Sequence, residues 1–287
     1  MSINIITHRG LEPSANNFPS ESSFETFKNH LNRGFGIEFD ANFTKDKKIV
    51  IFHDAGLERI TKGEDKRLFA DMPAKEIEAI RLENNGRLCF LDELLDAISG
   101  SNTNSISALH LKGGFQEPEF LDILLDYLQN AGKILSRIVI FDVKVETAKY
   151  LKAKLPELNL APSVAHPYDI KRYNQATKGT LLSAEETIAN KDLFSWVWLD
   201  EWDLADENGR TKKFYTAETF DIFRKNGMKI ALVTPELHGT SPGLLGGEAH
   251  PDAAKERLFN RVQEIINLKP DALCTDYPKE VKKLIYK

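Results

Sequence analysis

Residues 37–53 read Ile37-Glu38-Phe39-Asp40-Ala41-Asn42-Phe43-Thr44-Lys45-Asp46-Lys47-Lys48-Ile49-Val50-Ile51-Phe52-His53. Ile37 to Phe43 has the composition of a strand, and so has Lys48 to His53. Only the polar turn Thr44–Lys47 lies between them. A parallel crossover needs a dozen or more residues, so the second strand must run back along the first as a hairpin. Elsewhere the spacing is longer, and apolar runs alternate with helical patterns. With the returning arm 48–53 set aside, strand candidates remain at 3–7, 37–43, 105–111, 137–143, 160–165, 194–199, 229–233 and 271–274. Helical patterns lie at 22–33, 91–98, 118–131, 146–155, 168–174, 217–226, 253–267 and 279–286. In the first, Phe24, Phe27 and Leu31 share one face at i, i+3 and i+7. Near-continuous apolar strands, each followed by a helix, imply a parallel sheet. Eight such units in 287 residues match a TIM (β/α)8 barrel in count and size. An open doubly wound sheet is the competing architecture.

The composition suits a soluble globular protein, and the length fits one large barrel or two small domains. Hydrophobic residues make up 41% and charged residues 28%, enough apolar material for a core. The net charge of -5 argues against a broad nucleic-acid footprint, which needs a clustered basic face. It leaves room for a small anionic ligand held by a few local cations. No apolar run approaches the roughly 20 residues needed to cross a bilayer. Met1-Ser2-Ile3-Asn4 does not open a signal peptide, so the expected location is cytoplasmic. Cys89 and Cys274 each sit in a short apolar run and are expected to be buried free thiols. The oligomeric state is not legible.

Residues able to do chemistry fall at strand ends. His8-Arg9-Gly10 closes the first strand, and Glu38 and Asp40 lie two apart on the second. Side chains alternate along a strand, so these carboxylates point the same way. Side by side they repel unless a cation lies between them, and Mg2+, Ca2+ or Mn2+ prefers such oxygen ligands. The hairpin turn brings His53 back alongside Glu38 and Asp40, where it can approach one site together with His8. His110 and Lys112 are again i and i+2 and share a face. Arg9 and Lys112 add positive charge suited to a phosphate, one as a bidentate fork and one as a point charge. Two imidazoles, two carboxylates, a guanidinium and an ammonium suit phosphodiester cleavage: cations neutralise the phosphate oxygens while one histidine removes a proton and the other delivers one.

These residues resemble the glycerophosphodiester phosphodiesterases. The resemblance rests on His8-Arg9-Gly10, Glu21-Ser22-Ser23-Phe24-Glu25-Thr26-Phe27, Ile37-Glu38-Phe39-Asp40, Thr44-Lys45-Asp46, Phe52-His53-Asp54 and Leu57-Glu58-Arg59-Ile60-Thr61-Lys62-Gly63. Leu109-His110-Leu111-Lys112 and Thr275-Asp276-Tyr277-Pro278 agree more loosely. It implies one TIM-barrel domain over 1–287, with a hairpin-containing insertion at about 44–90 after the second strand. It implies His8 and His53 as the acid/base pair, Arg9 and Lys112 as phosphate contacts, and Glu38 and Asp40 as metal ligands with Glu21 close by. Gly10 fits a tight bend after the first dipeptide.

Three departures from the family pattern stand out. His110 occupies a position where the family usually has a metal-binding Glu. As a nitrogen ligand it would shift preference from Ca2+ toward Mn2+, Zn2+ or Fe2+; the alternative is a non-ligand role that leaves a weaker metal site. Pro19-Ser20-Glu21-Ser22-Ser23 carries one extra residue. The seventh strand ends in Val233-Thr234-Pro235-Glu236-Leu237-His238-Gly239, which places Glu236 and His238 at the mouth, either as substrate contacts or in a structural loop role. The expected activity is metal-dependent hydrolysis of a glycerophosphodiester to an alcohol and glycerol phosphate, a step in lipid and glycerol metabolism. A phosphodiesterase for another head group, of the sphingomyelinase D or lysophospholipase D kind, stands as an alternative. A barrel that binds a phosphorylated ligand without turnover is another.

Overall fold

The computed structural model describes residues 3–237 and 250–286. Among them, twelve strands form one sheet. They are β1 (Asn4–Thr7), β2 (Gly36–Phe43), β3 (Ile49–Ile51), β4 (Cys89–Phe90), β5 (Ser107–His110), β6 (Ile138–Phe141), β7 (Asn159–Leu160), β8 (Ser163–Ala165), β9 (Leu181–Leu182), β10 (Trp196–Asp200), β11 (Lys229–Val233) and β12 (Ala272–Thr275). The order is β7-β6-β5-β2-β1-β12-β11-β10-β8-β9, and every neighbouring pair along it is parallel. Residues 159–165 close the ring: β7 pairs with β6, and β8 pairs with β10. The fold is a (β/α)8 barrel.

Two departures from the expected pattern have local causes. The fifth strand, expected unbroken over 160–165, splits at Ala161-Pro162, because proline has no N–H for the ladder. β9 and the helix Ala184–Ala189 form an extra unit that the sequence reading lacks. Its two-residue strand is too short to leave a periodic signal. The hairpin is as expected: β3 runs antiparallel to β2, with Ala41 opposite Ile51 and Phe43 opposite Ile49. β3 also pairs antiparallel with β4, and Val50, Phe52, Leu57, Phe69, Met72, Ile77, Leu88 and Phe90 close a separate small core over residues 50–90.

Strand alternation sorts residues into two layers. Outward-facing Ile37, Phe39, Leu109, Ile138, Ile140, Val197 and Leu199 meet the helices in the main core. The helix Leu91–Gly100 supplies Leu91, Leu94, Leu95 and Ile98, and the helix Pro118–Gln129 supplies Leu121, Leu124, Leu125 and Leu128. Each such buried side chain contributes about 1.5–3 kcal/mol relative to exposure. Inside the barrel, Trp196 and Trp198 project from one strand toward small residues on others, Ala108, Ala161, Ala231 and Ala272. That pairing of large with small fills a barrel of this width. Continuing the inward set toward the carboxyl end of each strand gives His8 after Ile6, Asp40 after Glu38, His110 after Ala108, Asp200 after Trp198 and Asp276 after Cys274. The periodicity that builds the floor therefore also aims the polar groups at its mouth. Cys89 and Cys274 are buried and unbridged.

Candidate active site

At the carboxyl ends of the strands lies a cavity of about 470 Å³. His8, Arg9, Glu38, Asp40, His53, His110 and Lys112 all line it. The structure thus brings together, from four stretches of chain, most of the residues singled out in the sequence.

His8 and His53 are held in the same way. His8 Nδ1 donates to Asp276 Oδ1 at 2.9 Å, across 268 residues. His53 Nδ1 donates to Asp54 Oδ1 at 2.7 Å. A carboxylate on Nδ1 fixes ring and tautomer and leaves Nε2 for a substrate. Burial pushes His53 down to about 4, against the attraction of Asp40 and Asp54, so its imidazole is neutral at neutral pH. For Asp54, burial opposes ionisation, but hydrogen bonds from His53 and Arg59 prevail and hold it at about 2. The backbone around His53 is clamped. The Asn42 side-chain amide donates to the carbonyls of Phe52 and Asp54, and Lys112 Nζ donates to the carbonyl of His53 itself. Asp54, Asp276 and Asn42 were given no role in the sequence reading. The first two stand in the quoted motifs; what was missing was the contact.

Glu38, Asp40 and His110 form the metal-competent group: one donor atom from each lies within 4.8 Å of the others. Adjacent strands set this, since β2 and β5 pair Glu38 with Ala108 and Asp40 with His110. Glu38 is raised by burial and by the Asp40 charge, whereas Asp40 overcomes its burial through Lys112, His53 and His110 and stays well below the usual range. Asp40 Oδ1 accepts from His110 Nδ1 at 2.8 Å and lies 3.3 Å from Lys112 Nζ. Asp40 Oδ2 is buried and accepts no hydrogen bond. A buried carboxylate oxygen without a donor, beside a second carboxylate and an imidazole nitrogen, is a fitting environment for a divalent cation. Burial opposes charge on His110, but hydrogen bonds to Asp142 and Asp40 raise it to about 9.

Arg9 sits where expected. Its backbone takes a left-handed turn with φ 49°, its N–H donates to Glu38 Oε2 at 3.1 Å, and its guanidinium lies 3.7 Å from Asp40 and 3.8 Å from Glu21. Gly10 follows with φ 68°, and a Cβ there would strike Thr26, which confirms the tight bend.

Two of the expected site residues have partners outside the metal-competent group. Glu21 is not part of the metal-competent group; guanidiniums of Arg59 and Arg9 flank it instead and neutralise its charge. Glu236 is buried behind the cavity rather than on its wall. Its Oε1 accepts from Thr234 Oγ1 at 2.7 Å, Thr275 Oγ1 at 2.6 Å and the Asp276 N–H at 3.1 Å. It props up the residue that holds His8. His238 lies outside the described residues.

The rest of the wall was not foreseen. Phe141 stacks on His110 at 4.7 Å and on Trp198 at 3.9 Å. Asp142, Asp200 and Trp202 also line the cavity, and residues 176–178 reach over it from the segment before β9. Burial, with the Asp142 charge, raises Asp200 to about 8.

Residues 8–280 match the model of the glycerophosphoryl diester phosphodiesterase family. A Galdieria sulphuraria protein assigned as a glycerophosphodiester phosphodiesterase shares the fold with a TM-score of 0.70 and 18% identity, covering 100% of this chain and 99% of its own. A glycerophosphoryl diester phosphodiesterase from Parabacteroides distasonis gives 0.65 and 20%, covering 99% and 86%. A phosphodiesterase from Oleispira antarctica, solved in complex with the product sn-glycerol-3-phosphate, gives 0.65 and 18%, covering 99% and 97%. No curated protein matches the chain. Among the described residues, no helix is long and apolar enough to cross a membrane.

Proposed function

This chain belongs to the glycerophosphoryl diester phosphodiesterase family, and from that premise we propose that it hydrolyses a glycerophosphodiester to an alcohol and glycerol phosphate. The observation that carries the reading is the matched pair of imidazoles. His8 and His53 each have Nδ1 tied to a carboxylate, and both face the cavity that holds Glu38, Asp40 and His110. A one-sided chemistry would need only one such dyad.

His53, kept neutral by burial, starts as the proton acceptor for the attacking oxygen. His8, oriented by Asp276, delivers a proton to the leaving alcohol. Arg9 and Lys112 bind the non-bridging phosphate oxygens. Glu38, Asp40 and His110 would hold a divalent ion, which when bound withdraws charge from the phosphate. Lys112 also fixes His53 through its carbonyl, so phosphate binding and base positioning share one side chain. The product named for the Oleispira antarctica structure supports glycerol phosphate as the phosphorylated product here.

The test is product analysis with Mn2+ or Mg2+ on glycerophosphodiesters of choline, ethanolamine and glycerol. Glycerol phosphate is the expected common product. Metal-replete protein inactive on every phosphodiester would refute the reading. Preferential release of choline from an acylated lysophospholipid would turn it toward a lysophospholipase D.

A further inference from the structure

We propose that Asp142 is a positioning residue for the metal site: it fixes His110 so that Nδ1 is the ligand atom, and thereby makes the centre one for Mn2+, Zn2+ or Fe2+ rather than Ca2+. The inference rests on reading Glu38, Asp40 and His110 as ligands.

The two ring nitrogens of His110 face different carboxylates. Nδ1 lies 2.8 Å from Asp40 Oδ1, and Nε2 lies 3.4 Å from Asp142 Oδ2. A metal taking the Nδ1 lone pair would displace the proton there to solvent, leaving a neutral imidazole whose one N–H is on Nε2 and needs an acceptor, which Asp142 supplies. The ring plane is already set, because Phe141 stacks against it at 12°.

Asp142 is itself built into place. Its backbone takes a left-handed conformation with φ 67°, uncommon outside glycine and suggestive of a positioned group. Buried Gln116 ties it to the strand that carries His110. The Gln116 side-chain amide donates to the carbonyls of Leu111 and Asp142, both at 2.7 Å, and its oxygen accepts from the Lys144 N–H at 3.0 Å. The stretch after β5 and the stretch after β6 are thus pinned together just beyond the histidine and the aspartate. Charge completes the argument. His110 brings a neutral nitrogen donor to the ligand set, and Asp142 adds one negative charge one layer out. The metal then sees a nitrogen donor backed by an anion, a combination that favours borderline ions over Ca2+.

The test measures metal affinity by calorimetry on metal-stripped protein, with Mn2+ and Ca2+ as probes. Asp142→Gly removes the side chain and suits the positive φ, and Asp142→Asn keeps the shape without the charge. Mn2+ affinity should fall about 10- to 100-fold in the first and less in the second. His110→Glu should raise Ca2+ affinity and abolish the dependence, so that Asp142→Asn added to it changes Mn2+ affinity less than about threefold. Nitrogen coupling to bound Mn2+ in pulsed electron paramagnetic resonance should be present in the wild type and absent in His110→Glu. Unchanged Mn2+ affinity in both Asp142 variants, with binding lost in Glu38→Gln, would overturn this inference alone. Wild-type protein binding no Mn2+, or binding it as well after Glu38→Gln, would overturn the metal reading beneath it too.

Discussion

On one side of the barrel mouth, β1, β2, β5 and the hairpin contribute His8, Arg9, Glu38, Asp40, His53 and Lys112. On the other, β6, β10 and β11 contribute Phe141, Trp198 and Val233, with Trp202 and Leu237 from the loops beyond. The first side is a web in which each charge is held by another: Asp54 by Arg59, Asp40 by Lys112 and His110, His8 by Asp276. The second side is rings and apolar surface with two carboxylates, Asp142 and Asp200. Phosphate chemistry needs fixed charge, and fixed charge in a buried site needs partners. Choosing among alcohols needs shape, which stacked rings supply. On the function proposed above, we infer from this difference that bond breaking falls to the charged half and selection of the leaving group to the aromatic half.

If that division holds, the largest losses must come from the charged half. His8→Ala and His53→Ala should each lower kcat by about 10²–10⁴-fold, the usual contribution of a positioned acid or base. Steady-state kinetics on a glycerophosphodiester checks this, and a loss below tenfold for both would break the comparison. Lys112→Met comes next. It removes the clamp on the His53 carbonyl together with the proposed phosphate contact. The expected fall in kcat/KM is about 10²-fold, with kcat and KM both affected. A change in KM alone would mean that Lys112 binds phosphate without positioning the base.

The aromatic half should respond differently. Trp202 is 6% exposed and packs its ring on Tyr173 at 5.1 Å. Trp202→Leu should change the ranking of choline, ethanolamine and glycerol diesters by about 10-fold, the scale of one apolar contact. Inhibition by inorganic phosphate should stay constant. A uniform loss across all substrates would show that the wall serves the chemistry after all.

The same division explains what could be read from the sequence. The charged half is written in short motifs, because a strand places i and i+2 on one face: Glu38 with Asp40, and His110 with Lys112. The hairpin follows from a four-residue gap alone. The aromatic half has no such signature. Phe141 and Trp198 lie 57 residues apart in the chain and stack only because β6 and β10 flank the split strand β7/β8 that closes the ring. Each taken singly is an ordinary strand or loop residue. Asp276 reaches His8 only through the pairing of β1 with β12. Pro162 was in plain view, yet its break in the fifth strand matters only once both neighbouring strands are known.

Glu236 gives the smallest expected effect on turnover and the sharpest check on where the boundary runs. Its position after the seventh strand suggests a substrate contact, but the side chain turns inward to Thr234, Thr275 and the Asp276 N–H. Glu236 Oε2 and Asp276 Oδ2 are both buried without a hydrogen-bond donor. Burial, reinforced by the Asp276 charge, raises the Glu236 carboxyl to about 7. An acid whose pKa is higher folded than unfolded takes up protons on folding, so its stabilising share is full below about 4.5 and is lost as pH rises through 7. Glutamine keeps the accepting oxygen, offers an N–H toward Asp276 and does not titrate. Glu236→Gln should therefore leave KM within about twofold and lower kcat only slightly. Between pH 5 and pH 8 the variant should lose less stability than the wild type, by something on the order of 1–3 kcal/mol. Thermal melts across that range measure it. A several-fold rise in KM with no change in the pH dependence of melting would return Glu236 to the substrate wall and erase the line between prop and contact.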